Sequence, residues 1–121
     1  MNILLETSIS KTFCKNNKYT LYEIVCITNL PTKKNCFFKV HKRYSDFYVL
    51  HGKIKMHLKN LPPFPKKKYF KMDYSTITER MIMFDGYLRY LCHMVISNNI
   101  TDECKALITS FLNIDSISLD K

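Results

Sequence analysis

The hydrophobic pattern of this chain changes its period after Tyr44, and this change limits the possible folds more than any other feature. Before that point, apolar residues alternate loosely with polar ones or form β-branched and aromatic runs, which is typical of strands. After it, apolar residues recur every three or four positions, which is typical of amphipathic helices. Because the strands and the helices are segregated along the chain, the sequence predicts an α+β fold.

Three strands are predicted in the first part of the chain. Residues 3–9 alternate between apolar and polar side chains, and the segment YTLYEIVCITNL (19–30) is apolar on both faces, which is typical of a central strand. The turn sequence PTKKN (31–35) separates it from a third strand, CFFKVHKRY (36–44). Adjacent strands with short connections predict an antiparallel β-meander.

The first helix is expected to begin at Ser45, a capping residue, and to bury a stripe of apolar side chains. It is expected to end at the stretch LPPFPKK (61–67), since residues that precede proline avoid the helical conformation. The stripe consists of Phe47, Leu50, Ile54 and Leu58.

Two more helices are predicted after the prolines. Thr76 and Glu79 have the spacing of a capping box, so Arg80 is expected in the first turn of the second helix. This helix carries the longest apolar stripe of the chain, and a third helix is expected to begin near Thr101. The stripe consists of Ile77, Met81, Phe84, Leu88, Leu91 and Val95. The prediction is a helical subdomain of three or more helices, with a proline-rich loop between the first two.

A length of 121 residues predicts a single domain that spans 1–121. No apolar run approaches the length of a membrane-spanning helix, and the first residues lack the features of a signal peptide. The five cysteines are odd in number and scattered, which favours a reduced, cytosolic chain over a disulfide framework.

Catalytic and metal chemistry are not indicated. The histidines and cysteines show neither CxxC nor HExxH nor zinc-finger spacing, so no metal site is predicted. Two glycines in the whole chain exclude a glycine-rich phosphate loop. We therefore expect a protein that is not an enzyme and that holds no cofactor.

The formal net charge of +9 predicts an anionic partner. Lysine is abundant throughout, as in proteins from AT-rich genomes, so the three arginines are the better evidence. Arg43 closes the predicted third strand, and Arg80 lies near a helix start, where exposed amides favour anions. Together with the lysines at 66–68 on the stiff proline loop, these residues predict a small cationic cup.

Three motifs in this order resemble the PX (phox homology) domain: KRYSDF (42–47), LPPFPKK (61–67) and TERMIMFDGYLRYL (78–91). The resemblance extends from the first strand to SFLNID (110–115), which looks like the last helix of that family. It implies a three-stranded sheet followed by helices, and a sorting-nexin-like module that binds phosphoinositides without being an enzyme.

The resemblance also implies roles for four residues. Arg43 would hold the 3-phosphate of phosphatidylinositol 3-phosphate, and the ring of Tyr44 would pack on the inositol. Lys67 would contact the 1-phosphate, and Arg80 would bind the 4- and 5-hydroxyl groups. Auxiliary cations near these positions are Lys42, Lys66 and Lys68.

The apolar residues after the lysines are expected to enter the membrane, as the same loop does in the PX family. The candidates are Tyr69, Phe70 and Met72. Insertion would add to the attraction of the basic residues for an anionic leaflet. We therefore expect a peripheral protein of endosomal or vacuole-like membranes that serves protein transport and is monomeric as an isolated domain.

Two other functions remain open from the sequence. Pro62, Pro63 and Pro65, followed by Lys67, satisfy the minimal PxxP pattern of ligands for SH3-type partners. Nucleic-acid binding is the weaker alternative, because the basic residues concentrate around one loop and no nucleic-acid motif is present. No nucleic-acid partner is therefore expected.

Overall fold

A computed structural model of the protein describes residues 2–31, 35–67 and 72–114. Its sheet contains the strands β1 (Leu5–Lys15), β2 (Tyr19–Thr28) and β3 (Phe37–Arg43) in the order β1-β2-β3. Both pairings are antiparallel, which confirms the predicted meander and the central place of the second strand.

Within the described residues, three helices follow the sheet: α1 (Tyr44–Ile54), α2 (Tyr74–Ser97) and α3 (Asp102–Phe111). This order confirms the α+β fold and the helical subdomain. The third helix begins as predicted, with the Thr101 hydroxyl oxygen accepting a hydrogen bond from the backbone N–H of Cys104 at 3.1 Å. None of the helices within the described residues is long and apolar enough to cross a membrane.

The predicted start of the first helix was wrong by two residues. Arg43 is the capping residue of α1, and Ser45 lies within the first turn. The junction is held by Asp46, whose Oδ2 accepts a hydrogen bond of 2.9 Å from the backbone N–H of Arg43. The helix ends at Ile54 and not at the prolines, so a non-helical segment already precedes Pro62.

The start of α2 was also predicted too late. Asp73 is its capping residue, and Thr76 is buried inside the first turn, so Thr76 and Glu79 do not form the predicted cap. Because the helix begins at Tyr74, Arg80 lies in its second turn, away from the free amides of the helix end. Of the described residues in the segment 110–115, expected as the last helix, only the first two belong to α3.

The core lies between one face of the sheet and the apolar sides of the helices. The predicted stripe of α2 packs there, with Ile77 and Met81 half-buried and the rest of the stripe buried. Phe47 of α1 stacks on Phe84 of α2 with their ring centroids 3.8 Å apart. Each such side chain contributes about 1.5–3 kcal/mol on burial, so the central contact between α1 and α2 is firmly fixed.

A polar contact fixes α2 against the edge of the sheet. β1 carries a bulge between Ile9 and Lys11. There Oδ1 of Asp85 accepts a hydrogen bond of 2.9 Å from the backbone N–H of Ile9. This contact joins α2 to β1 five residues after Arg80 on the helix.

Candidate anion-binding site

A cavity of about 240 Å³ opens where β2 and β3 meet the start of α2. Three of its wall residues are cations from three different elements, namely Arg43 of β3, Lys67 of the proline loop and Arg80 of α2. None of the nine described residues that line it carries a carboxylate, so these nine residues have a formal charge of +3. The other wall residues are Tyr19, Thr20, Tyr22, Tyr44, Ser45 and Met72.

Arg43 is positioned by the transition from strand to helix. It is the last residue of β3 and the capping residue of α1, and its side chain is half-buried. Its guanidinium carbon lies 4.0 Å from the ring centroid of Tyr19, which faces it from β2. The flat guanidinium is therefore stacked on an aromatic face, which leaves its edge N–H groups available to an anion.

Arg80 forms the deep end of the cavity, and its side chain is only 5% exposed. Its guanidinium carbon lies 4.0 Å from the ring centroid of Tyr44. Within the described residues, Nε of Arg80 and the hydroxyl oxygen of Tyr22 are buried without a hydrogen bond of ordinary geometry, although the Arg80 guanidinium lies close enough to Tyr22 to act on its pKa. Unsatisfied buried polar atoms are rare in folded proteins, so the surroundings of Arg80 are unusual within the described part of the chain.

The two tyrosines beside Arg80 remain neutral at physiological pH. Burial raises the pKa of Tyr22 above its ordinary value, although the nearby charge of Arg80 opposes the rise. Burial likewise raises the pKa of Tyr44, again against the influence of Arg80. These hydroxyl groups therefore do not reduce the positive charge of the cavity.

The segment 61–67 brings Lys67 to the cavity from the side of α1. It has neither helix nor strand, and it is held by Tyr44, whose hydroxyl group donates a hydrogen bond of 2.8 Å to the carbonyl oxygen of Pro65. Phe64 stacks on the ring of His51 at 4.3 Å. Lys67 itself is exposed, and its Nζ lies 4.9 Å from the ring centroid of Tyr48.

The comparisons with known proteins agree with this architecture. The sequence pattern that defines the PX domain family matches residues 30–115, which is more than half of the chain. The chain belongs to the PX domain family. This confirms the resemblance seen in the three sequence motifs.

One relative of this PX domain is sorting nexin-3 of Schizosaccharomyces pombe, which is 31% identical over 101 residues. The match covers 79% of this chain and 66% of that protein. Sorting nexins and PX domains are generally non-enzymatic lipid-binding modules. The chain spans about two thirds of that protein's length, and the similarity supports a phosphoinositide-binding module.

Two solved structures share the fold of this PX domain. A designed CISK-PX domain is 26% identical with a TM-score of 0.64, and the match covers 88% of this chain and 96% of that one. The mouse SNX19 PX domain, solved with a bound sulphate ion, is 22% identical with a TM-score of 0.65. That match covers 93% of this chain and 99% of the mouse chain.

All four principal residues expected in the binding site line one cavity, whereas Lys42 and Lys66, two of the three auxiliary cations, are not part of its wall. Lys42 points the other way from β3, with its Nζ 4.9 Å from the ring centroid of Phe111 in α3. Lys66 is exposed and is not part of the cavity wall. Lys68, Tyr69 and Phe70 lie outside the described residues.

Met72 has a different environment from the one expected for a membrane-inserting residue. It is half-buried in the cavity wall, and its Sδ lies 3.9 Å from the hydroxyl oxygen of Thr20. Its entry into a membrane remains a prediction.

The sequence reasoning missed the part of the wall that comes from β2 and the start of α1. Tyr19 and Thr20 follow from the sheet register, in which Leu21 pairs with Arg43, so the residues just before Leu21 lie beside the end of β3. Ser45 was expected only as a helix cap. The predicted meander places the start of the second strand beside the end of the third, but only the exact pairing register identifies Tyr19 and Thr20 as neighbours of Arg43.

The proline pattern is poorly presented for an SH3-type partner. Pro65 is buried and its carbonyl oxygen is engaged by Tyr44, while Pro62 is half-buried and Pro63 is exposed. A polyproline ligand must lay its prolines into the groove of the partner. The SH3-type interaction therefore stays a prediction that the burial of Pro65 disfavours.

Proposed function

We propose that this PX domain binds phosphatidylinositol 3-phosphate and recruits the protein that carries it to endosomal or vacuole-like membranes for trafficking. The observation that carries the proposal is the convergence of Arg43, Tyr44, Lys67 and Arg80 on one cavity without a carboxylate in its described wall. A headgroup with two phosphates brings the opposite charge to these three cations.

The chemistry of each residue suits a different part of this headgroup. Arg43 offers a planar pair of N–H donors for a phosphate, and Arg80 offers the same geometry for a pair of neighbouring hydroxyl groups. Tyr44 presents a flat apolar face between them. Lys67, on an exposed loop, offers a point charge for the phosphate that joins the inositol to the lipid.

Membrane binding would add to headgroup binding. Exposed basic residues near an anionic leaflet contribute about 1 kcal/mol each, and Tyr69, Phe70 and Met72 remain the candidates for insertion. A single headgroup contact gives reversible recruitment, and the second contribution makes it stable.

The test is a co-sedimentation panel in which each phosphoinositide is presented in phosphatidylcholine vesicles. We expect binding to vesicles with phosphatidylinositol 3-phosphate and a loss of at least about 10-fold for Arg43→Ala, because a charge-assisted pair of hydrogen bonds is removed. Arg89→Ala is the matched control, since it removes the same charge from a side chain outside the cavity. Undiminished binding by a folded Arg43→Ala variant would contradict the proposal.

A further inference from the structure

The three cations of the cavity wall share an unusual kind of partner. The guanidinium carbon of Arg43 lies 4.0 Å from the ring centroid of Tyr19, that of Arg80 lies 4.0 Å from Tyr44, and the ammonium of Lys67 lies 4.9 Å from Tyr48. Each cation thus lies against a different tyrosine ring. Of these rings, only that of Tyr44 has a role in the proposed headgroup contact.

An aromatic partner, unlike a carboxylate, does not neutralise the charge of the cation that it contacts. A tyrosine ring attracts a cation through its quadrupole and carries no net charge, so the positive charge of the wall is kept. Elsewhere in the described part of the chain, Glu23 pairs with Lys39 and His41, and Asp85 pairs with Arg89. None of these paired residues lines the cavity.

Asp46, the acid that follows Ser45 of the cavity wall, is engaged by the backbone. Asp46 accepts its 2.9 Å hydrogen bond from the backbone N–H of Arg43, at the start of α1. It stabilises the junction that presents Arg43, and it is not part of the cavity wall. The guanidinium of Arg43 itself lies against the ring of Tyr19.

Lys67 depends most on such a partner, because it is exposed and belongs to a segment without regular structure. A free lysine side chain loses about 1.5–2 kcal/mol of rotamer entropy when it is fixed. Tyr48 is half-exposed on α1 and stacks on Tyr44 with the ring centroids 6.1 Å apart. The rigid helix thus holds the ring that contacts the ammonium, one turn beyond the tyrosine of the cavity wall.

We propose that Tyr48 and Tyr19 are positioning residues, which hold the Lys67 ammonium and the Arg43 guanidinium ready for a phosphorylated inositol without neutralising them. This inference rests on the proposed function. Neither tyrosine needs to touch the ligand, because each acts through its cation.

The test compares Leu and Phe at each position, with a soluble ligand and with vesicles. Inositol 1,3-bisphosphate is titrated by calorimetry, and vesicles with phosphatidylinositol 3-phosphate are co-sedimented. Tyr48→Leu and Tyr19→Leu are expected to weaken both kinds of binding about 2- to 5-fold, the strength of an exposed cation–π contact. Tyr48→Phe and Tyr19→Phe are expected to remain within about 2-fold of the unchanged protein, because they keep the ring.

The soluble ligand separates positioning from membrane contact. A tyrosine that acted only by entering the bilayer would change vesicle binding and leave the soluble titration unchanged, and this result would overturn the inference. Phe37→Leu is the matched control, because Phe37 is about as exposed as Tyr48 and lies outside the cavity. It is expected to change neither measurement.

A double-mutant cycle tests the route through Lys67. In the Lys67→Ala background, Tyr48→Leu should have no further effect, whereas an undiminished effect would show that Tyr48 acts independently. Where Lys67→Ala leaves binding too weak to measure, equal losses in Tyr48→Phe and Tyr48→Leu overturn the inference.

The same measurements separate the inference from the proposed function. If Arg43→Ala abolishes binding while the substitutions of both tyrosines have no effect, the inference is wrong and the proposed function stands. If the unchanged protein binds neither ligand, the proposed function fails.

Discussion

The guanidinium of Arg80 lies against the ring of Tyr44, 4.0 Å from guanidinium carbon to ring centroid, at the deep end of the cavity. The arrangement fixes a cation that is 5% exposed and whose Nε has no hydrogen-bond partner within the described residues. Removing a charge from water without full compensation costs several kcal/mol. Arg80 is therefore expected to serve binding at the expense of stability.

Replacing Arg80 tests whether this residue favours ligand binding at a cost in folding stability. Arg80→Met keeps the length of the side chain and removes the buried charge, so the free energy of unfolding is expected to equal or exceed that of the unchanged protein. Affinity for inositol 1,3-bisphosphate is expected to fall at least about 10-fold, since the donors to the inositol hydroxyl groups are lost. Urea unfolding and calorimetric titration measure the two quantities. A variant that is destabilised by several kcal/mol would show that Arg80 is mainly structural.

How far the sequence predicted this site depends on the residue. Arg43, Tyr44, Lys67 and Arg80 were predictable because they lie in short motifs whose order matches that of a known family. Lys42 was grouped with Arg43 by adjacency, yet neighbours on a strand point to opposite faces. The structure accordingly directs Lys42 to Phe111 of α3.

The first residue of a helix is difficult to predict from the sequence for a different reason. Asp73 and Thr76 are both good capping residues, and local preference alone does not choose between them. The choice follows from packing, because Thr76 is buried in the folded chain and its place inside the helix allows that burial. For the same reason the burial of Arg80 could not be predicted, since it depends on where α2 begins and on how the helix packs in the folded chain.

Acid is expected to destabilise the domain through His51. Burial and, to a lesser extent, the charge of Lys55 lower the pKa of His51 below its ordinary value of about 6.5. The ring is stacked on Phe64, and its Nδ1 lies 2.7 Å from the hydroxyl oxygen of Tyr87. Protonation therefore costs more in the folded state than in the unfolded state. The corresponding stability is complete above about pH 6.5 and is lost as the pH falls through the lowered pKa.

The measurement is the free energy of unfolding in urea at pH 7.5 and pH 5.0. His51→Gln is expected to reduce the loss of stability between the two pH values, because the amide can still pair with Tyr87 and does not titrate in this range. His57→Gln is the control for the substitution itself, since His57 is exposed in the turn after α1. Equal pH dependence in His51→Gln and the unchanged protein would assign the acid sensitivity to other groups.

Stability and binding are expected to separate at Asp85. Oδ1 of this carboxylate accepts a hydrogen bond from the backbone N–H of Ile9, and Oδ2 accepts one from Nε of Arg89, both at 2.9 Å. Asp85→Ala leaves the backbone donor of Ile9 without its partner, so the free energy of unfolding is expected to fall by about 1–3 kcal/mol. Arg89→Ala removes only the ion pair with an exposed side chain, which is worth about 0–1 kcal/mol.

Neither Asp85 nor Arg89 lines the cavity, so both variants should bind inositol 1,3-bisphosphate as tightly as the unchanged protein while they remain folded. Calorimetric titration at a temperature well below the unfolding transition checks this. A large loss of affinity in Asp85→Ala at that temperature would mean that the contact between α2 and β1 sets the position of Arg80 in the cavity. Preserved affinity would mean that the packing of α2 against α1, through Phe84 and Phe47, is sufficient to hold it.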